Sequence, residues 1–118
     1  MKRKATRHLG TISSESKPVL VDQFDSAICF LKNEGASTAT FHFEAGYERE
    51  GTKHWARLGN YDVPLSADSS MALPVGCTYD LSQEQIASPS RYSPQEFRVV
   101  KDSGPDLEAS VVLLRLCV

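Results

Sequence analysis

Beyond Pro18 the chain never holds one pattern for long. Short apolar segments alternate with turn-forming clusters about every 8–12 residues, the rhythm of an all-β sandwich or barrel. The clearest segment is residues 37–44. Ala39, Phe41 and Phe43 fall on one face, and Thr38, Thr40, His42 and Glu44 on the other. A period of two with one apolar side is a strand with one buried and one wet face. Asn33-Glu34-Gly35 supplies the turn before it, because Asn and Gly tolerate positive φ. Gly46 and Gly51 then bracket a charged tip, Tyr47-Glu48-Arg49-Glu50. Residues 53–58 return as a strand, with Trp55 and Arg57 on one side and Ala56 and Leu58 on the other, so the two runs predict a hairpin.

Residues 19–24 and 26–32 are the first two predicted strands. Val21, Phe24, Ile28 and Leu31 also satisfy helical spacing, but the β-branched and aromatic content favours strands and no other segment offers a helical partner. Gly59-Asn60 is expected to break the hairpin's second strand. Residues 61–65 then make a short edge strand, limited by Pro64. Residues 66–70 read as loop, and 71–73 and 77–81 as weak strands. Ser82 with Gln85 resembles a capping box for one helical turn over 83–87, followed by a loop over 88–94. Residues 96–101 alternate Phe97 and Val99 against Arg98, and 102–106 form a strong turn cluster. The last segment, 107–117, is apolar on both faces (Val111, Val112, Leu113, Leu114, Leu116). Such a strand is central in its sheet or is packed against a second subunit; left exposed it would be an unprotected apolar edge. The fold class expected is all-β: one antiparallel β-sandwich, jelly-roll or Ig-like, of about seven or eight short strands over residues 17–118.

The 118 residues carry a net charge of −2, unevenly spread. Lys2, Arg3, Lys4 and Arg7 crowd the first eight residues with no acid among them, leaving an acid-rich body. Residues 1–16 therefore read as a flexible basic arm whose cations contact an acidic partner surface. Nucleic acid is expected to bind at most weakly through that arm, since no aromatic is interleaved for base stacking. No apolar stretch follows the basic start, so it is not read as a secretory signal. No run of about 18 apolar residues predicts a membrane-spanning helix. Cys29, Cys77 and Cys117 are widely spaced and read as reduced thiols.

Catalytic signatures are missing from the sequence: no G-x-S-x-G elbow, no P-loop, no dinucleotide-binding glycine pattern. His42, His54 and Glu44 lie near one hairpin, where a two-histidine, one-carboxylate metal site is conceivable. The spacing favours two surface histidines instead, and neither a metal nor a cofactor is expected. Trp55, Tyr47 and Tyr61 lie on or beside the same hairpin. They form either a surface for stacking on sugar rings or, for Trp55, part of the core between the sheets.

Three pieces taken together carry a resemblance: residues 33–44 (Asn-Glu-Gly-Ala-Ser-Thr-Ala-Thr-Phe-His-Phe-Glu), then Trp55-Ala56-Arg57-Leu58, then Tyr92 with Phe97-Arg98-Val99. Their order resembles the small β-sandwich accessory proteins of tailed-phage virions, which decorate heads or form part of a fibre or tail. The resemblance implies a non-enzymatic assembly subunit, a symmetric homo-oligomer attached to a capsid or tail. It implies synthesis in a host cytoplasm and residence in the virion, the cytoplasm itself being the alternative. The basic start would then reach a neighbouring subunit. Sugar-binding sandwiches share the same texture, so a carbohydrate-binding module using Tyr47, Trp55 and Tyr61 is the second expectation.

Overall fold

A computed structural model describes residues 2–20, 26–75 and 96–116. Eight strands run through these residues: β1 (Lys2–Ile12), β2 (Val19–Leu20), β3 (Ser26–Asn33), β4 (Ala39–Arg49), β5 (Thr52–Leu65), β6 (Ser69–Val75), β7 (Glu96–Ser103) and β8 (Leu107–Leu116). They form two four-stranded antiparallel sheets. Sheet A has the order β1-β8-β3-β6 and sheet B the order β2-β7-β4-β5. The pairings β1·β8, β2·β7, β3·β6 and β4·β5 nest one inside the next and alternate between sheets. This is a long hairpin rolled over itself, the jelly-roll arrangement, and not the Ig-like alternative.

Alternation fills the space between the sheets. Sheet A sends in Ala27, Cys29, Leu31, Leu107, Ala109, Val111 and Leu113; sheet B sends in Ala39, Phe41, Phe43, Phe97 and Val99. Phe43 meets both Phe41 and Phe97 edge to face, at centroid distances of 5.7 and 6.1 Å, a geometry aromatic rings prefer. Asn33 is fully buried at the end of β3. Its amide nitrogen donates to the carbonyls of Ser37, Leu65 and Ser66, and its oxygen accepts from the Gly35 amide. One side chain thus pins the β3–β4 turn to the end of β5.

The basic start is the largest correction. Residues 2–12 are no arm: they form β1, paired along β8 from Lys2↔Leu116 to Ile12↔Leu107. Ala5 and Leu9 pack against the core, and Ile12 is fully buried. A bulge at Leu9 lies between the paired residues His8 and Gly10, and Gly10 takes φ +69°, a conformation glycine adopts freely. The chain then passes to sheet B. The Ser16 amide donates to the Val99 carbonyl, and the Lys101 amide to Ser14. Residues 2–16 therefore tie the two sheets together.

The cover required by the apolar last strand consequently comes from within. β8 lies between β1 and β3, so Val111 and Leu113 are fully buried core residues and not an oligomer contact. Leu114 is half-buried on the opposite face. Leu116 pairs with Lys2, and its side chain falls outside those described. Residues 26–32 are strand, as expected, with the burial alternation of one. Gly59-Asn60 does not end β5, which continues to Leu65, but its pairing with β4 is interrupted over residues 59–62. Residues 21–25 and 76–95, with the readings made there for Cys77, Tyr92 and the 83–87 turn, lie outside the described residues, as does Cys117. No helix among the described residues is long and apolar enough to cross a membrane.

Candidate functional site: the charged cluster around His42

His42 sits on the outer face of sheet B, between the inward-facing Phe41 and Phe43. It is nonetheless only 7% exposed. Two irregularities in the flanking strands account for this. On one side, Phe41 pairs with Val63 but Phe43 pairs with Leu58, so residues 59–62 of β5 stand opposite His42 alone. On the other, Thr40 pairs with Ser103 but Phe41 pairs with Lys101, leaving Asp102 as the extra residue of β7. Bulges re-aim the side chains they carry. Here both deliver an aspartate to one histidine.

The Nδ1 atom of His42 lies 2.8 Å from Asp102 Oδ2 and 4.0 Å from Asp62 Oδ1, and Nε2 lies 2.9 Å from Glu44 Oε2. Glu44 also accepts from Arg98, at 2.9 Å from Nε and 2.7 Å from Nη2. Arg98 in turn pairs with Glu15 at 2.6 Å. Arg57 pairs with Asp62 across the bulge. The cations and carboxylates alternate, so each buried charge has a partner, as buried charges require.

Titration follows from the same contacts. Burial lowers the pKa of the His42 imidazole, but the bonds to Asp102 and Glu44 outweigh it and leave the pKa raised. Burial raises the pKa of Glu44, and His42 with Arg98 more than reverses that. The Arg57 hydrogen bond holds Asp62 below its ordinary value. Cys29, buried in the core, is pushed up to about 12 by desolvation and stays a thiol. Both imidazole nitrogens face carboxylates, and among the described residues neither bonds a hydroxyl or thiol.

Trp55 extends this surface. It lies opposite Gly46, where a methyl group would come within 2.8 Å of the indole. The Arg98 guanidinium sits 4.2 Å from the ring centroid and Lys53 Nζ 5.9 Å, and Lys53 pairs with the buried Glu96. Trp55 is therefore half-buried on the outer face of sheet B and does not belong to the core between the sheets. Tyr47 and Tyr61 lie in β4 and β5, with side chains outside those described.

Sequence reasoning brought Glu44 to the face of His42 correctly. The structure does not bring His54 to His42. His54 stands opposite Tyr47, five residues along β4 from His42, roughly 17 Å at strand rise. His42 is not a surface histidine, and its neighbours are Asp62 and Asp102. Ligand atoms of His42, Asp62 and Asp102 lie within 4.8 Å of one another. The sequence marked both bulges only as turn-formers, Gly59-Asn60 and Asp102-Ser103-Gly104. Lys4 and Arg7 are exposed on β1, and the side chains of Lys2 and Arg3 fall outside those described.

No protein-family model and no curated protein matches the chain. Among solved structures it is similar to one of PirA, at 11% identity, covering 97% of this chain and 93% of that one with a TM-score of 0.44.

Proposed function

We propose that this chain is a non-enzymatic assembly module that self-associates face to face through the outer surface of sheet A. In this reading it is a subunit of a larger protein assembly, of the tailed-phage accessory kind it resembles. The observation that carries the reading is an apolar stripe on the outer face of sheet A, half-buried at Ile28, Val112 and Leu114 and exposed at Phe30. Ile28 pairs with Val112 and Pro74, Ser26 with Leu114, and Phe30 with Ala72 and Ser110. All of these apolar residues point away from the core, and Phe30 is 46% exposed. A shallow groove of about 560 Å³ runs beside Phe30, lined by His8, Met71, Ala72 and Ser110. Contiguous exposed apolar surface marks interaction sites.

A second copy is the occupant that the chemistry favours. The rim carries both signs, Lys4 and Lys32 against Glu108, all exposed, which a two-fold partner can pair reciprocally. Faces are favoured over edges: β1 carries Lys4 and Arg7, and Pro64 lies in the edge strand β5, devices that discourage strand addition. Sedimentation of wild type and Phe30→Lys tests the reading. The wild type is expected to sediment as an oligomer and the variant as a monomer that still unfolds cooperatively, its midpoint no longer dependent on protein concentration. A monomeric wild type at high concentration would overturn it.

The carbohydrate-binding alternative draws support from Trp55 at the surface beside Lys53, Glu96 and Arg98. It is the weaker reading, because Arg98 already stacks on the indole. Binding on a glycan array that is lost in a folded Trp55→Ala variant would favour it.

A further inference from the structure

We propose that His42, Asp62 and Asp102 form a divalent-cation site, oriented by Glu44 and suited to Mn²⁺ or Zn²⁺. Three observations converge on it. The ligand atoms already lie within 4.8 Å of one another. An ion about 2.1 Å from each ligand holds such atoms roughly 3–4 Å apart, so the ligands need close by only a small movement. Next, Glu44 stands 2.9 Å from Nε2, on the side of the ring away from the aspartates. A carboxylate there accepts a hydrogen bond from Nε2–H, which keeps that proton on Nε2 and leaves the Nδ1 lone pair for the ion, the outer-shell arrangement that metal-binding histidines use. Finally, the two aspartates reach the histidine only through independent bulges in β5 and β7.

One imidazole nitrogen with two carboxylates is a mixed donor set, which favours Mn²⁺ or Zn²⁺ over all-oxygen Ca²⁺ sites and thiolate-held ions. The His42 side chain is 8% exposed, Asp102 24% and Asp62 42%. The protein thus closes one side of the site and leaves the other to water. Binding replaces one proton on Nδ1 with the ion. It also displaces Arg57, the cation now paired with Asp62. Because the ligands come from β4, β5 and β7, the ion would staple three neighbouring strands of sheet B.

The test uses the full chain after removal of adventitious metal with a chelator. Mn²⁺ uptake is followed by loss of the free-ion electron-spin signal, and Zn²⁺ by calorimetry. The wild type is expected to take up one ion per chain. Glu44→Gln is expected to weaken binding roughly 10–100-fold, and the Asp62→Asn/Asp102→Asn variant to abolish it. Arg57→Gln, which removes the competing cation, is expected to tighten binding, an effect a merely structural salt-bridge cluster would not produce. Asp62 is exposed, so Asp62→Asn alone keeps the fold and must still weaken binding if the double variant fails to fold. No uptake by the wild type at millimolar ion, or uptake unchanged in Asp62→Asn, would overturn the proposal. The site lies on sheet B and the association face on sheet A, so either proposal can fail without the other.

Discussion

His42 shows how one side chain can link stability to pH. Its pKa is raised on folding, so its contribution is complete below the unfolded value of 6.5 and is lost as pH rises through the higher folded value. Glu44 behaves in the opposite sense: its contribution is present above 4.5 and is lost as pH falls through its lowered folded value. With chelator present, these two groups together place the highest unfolding midpoint between about 4.5 and 6.5. His42→Gln should flatten the decline on the alkaline side of a thermal unfolding series, and an unchanged decline would assign that slope to other groups. Asn33 offers a sharper single-residue test. Asn33→Ala leaves the buried Leu65 carbonyl, and the partly buried Ser37 and Ser66 carbonyls, without their donor, which should cost about 2–3 kcal/mol in denaturant titration. Cys29 should resist alkylation in the native protein and react only on unfolding, because it is fully buried and its pKa is about 12.

At the scale of elements, the two readings of the N-terminus make opposite predictions. A flexible arm can be removed without effect. Deleting residues 2–12 should instead abolish the cooperative unfolding transition, because it strips β8 of a neighbour and removes the fully buried Ile12. The reason β1 was illegible is physical. It is an edge strand, and its exposed face carries Lys4, Thr6 and His8, so only Ala5, Leu9 and Ile12 signal burial, and the bulge at Leu9 shifts their period. β4 was legible because three aromatic or small residues alternate strictly against polar ones. The strand over 26–32 was legible from its β-branched and aromatic content. The candidate site was half legible: alternation put His42 and Glu44 on one face, but no local pattern says that a bulge will open on each side of His42. Trp55 stayed open between surface and core for a related reason. Its seat is created by Gly46 on the adjacent strand, and nothing local to residue 55 announces a missing side chain across the sheet.

For the whole molecule, nesting sets the kinetics. The outermost pair joins residues near position 2 to residues near position 116, so much of the sheet pairing must wait for distant parts of the chain to meet. Non-local all-β topologies refold over roughly milliseconds to seconds. Stopped-flow refolding should fall there, with amides of the β4–β5 hairpin protected before those of β1 and β8 in pulsed hydrogen exchange. Simultaneous protection of both pairs would argue against assembly from the hairpin outward.

The antiparallel register of β1 and β8 puts Lys2 beside Leu116. A pulling force applied at those two residues would load one rung of the ladder at a time and peel the strands apart like a zip, the geometry of least mechanical resistance.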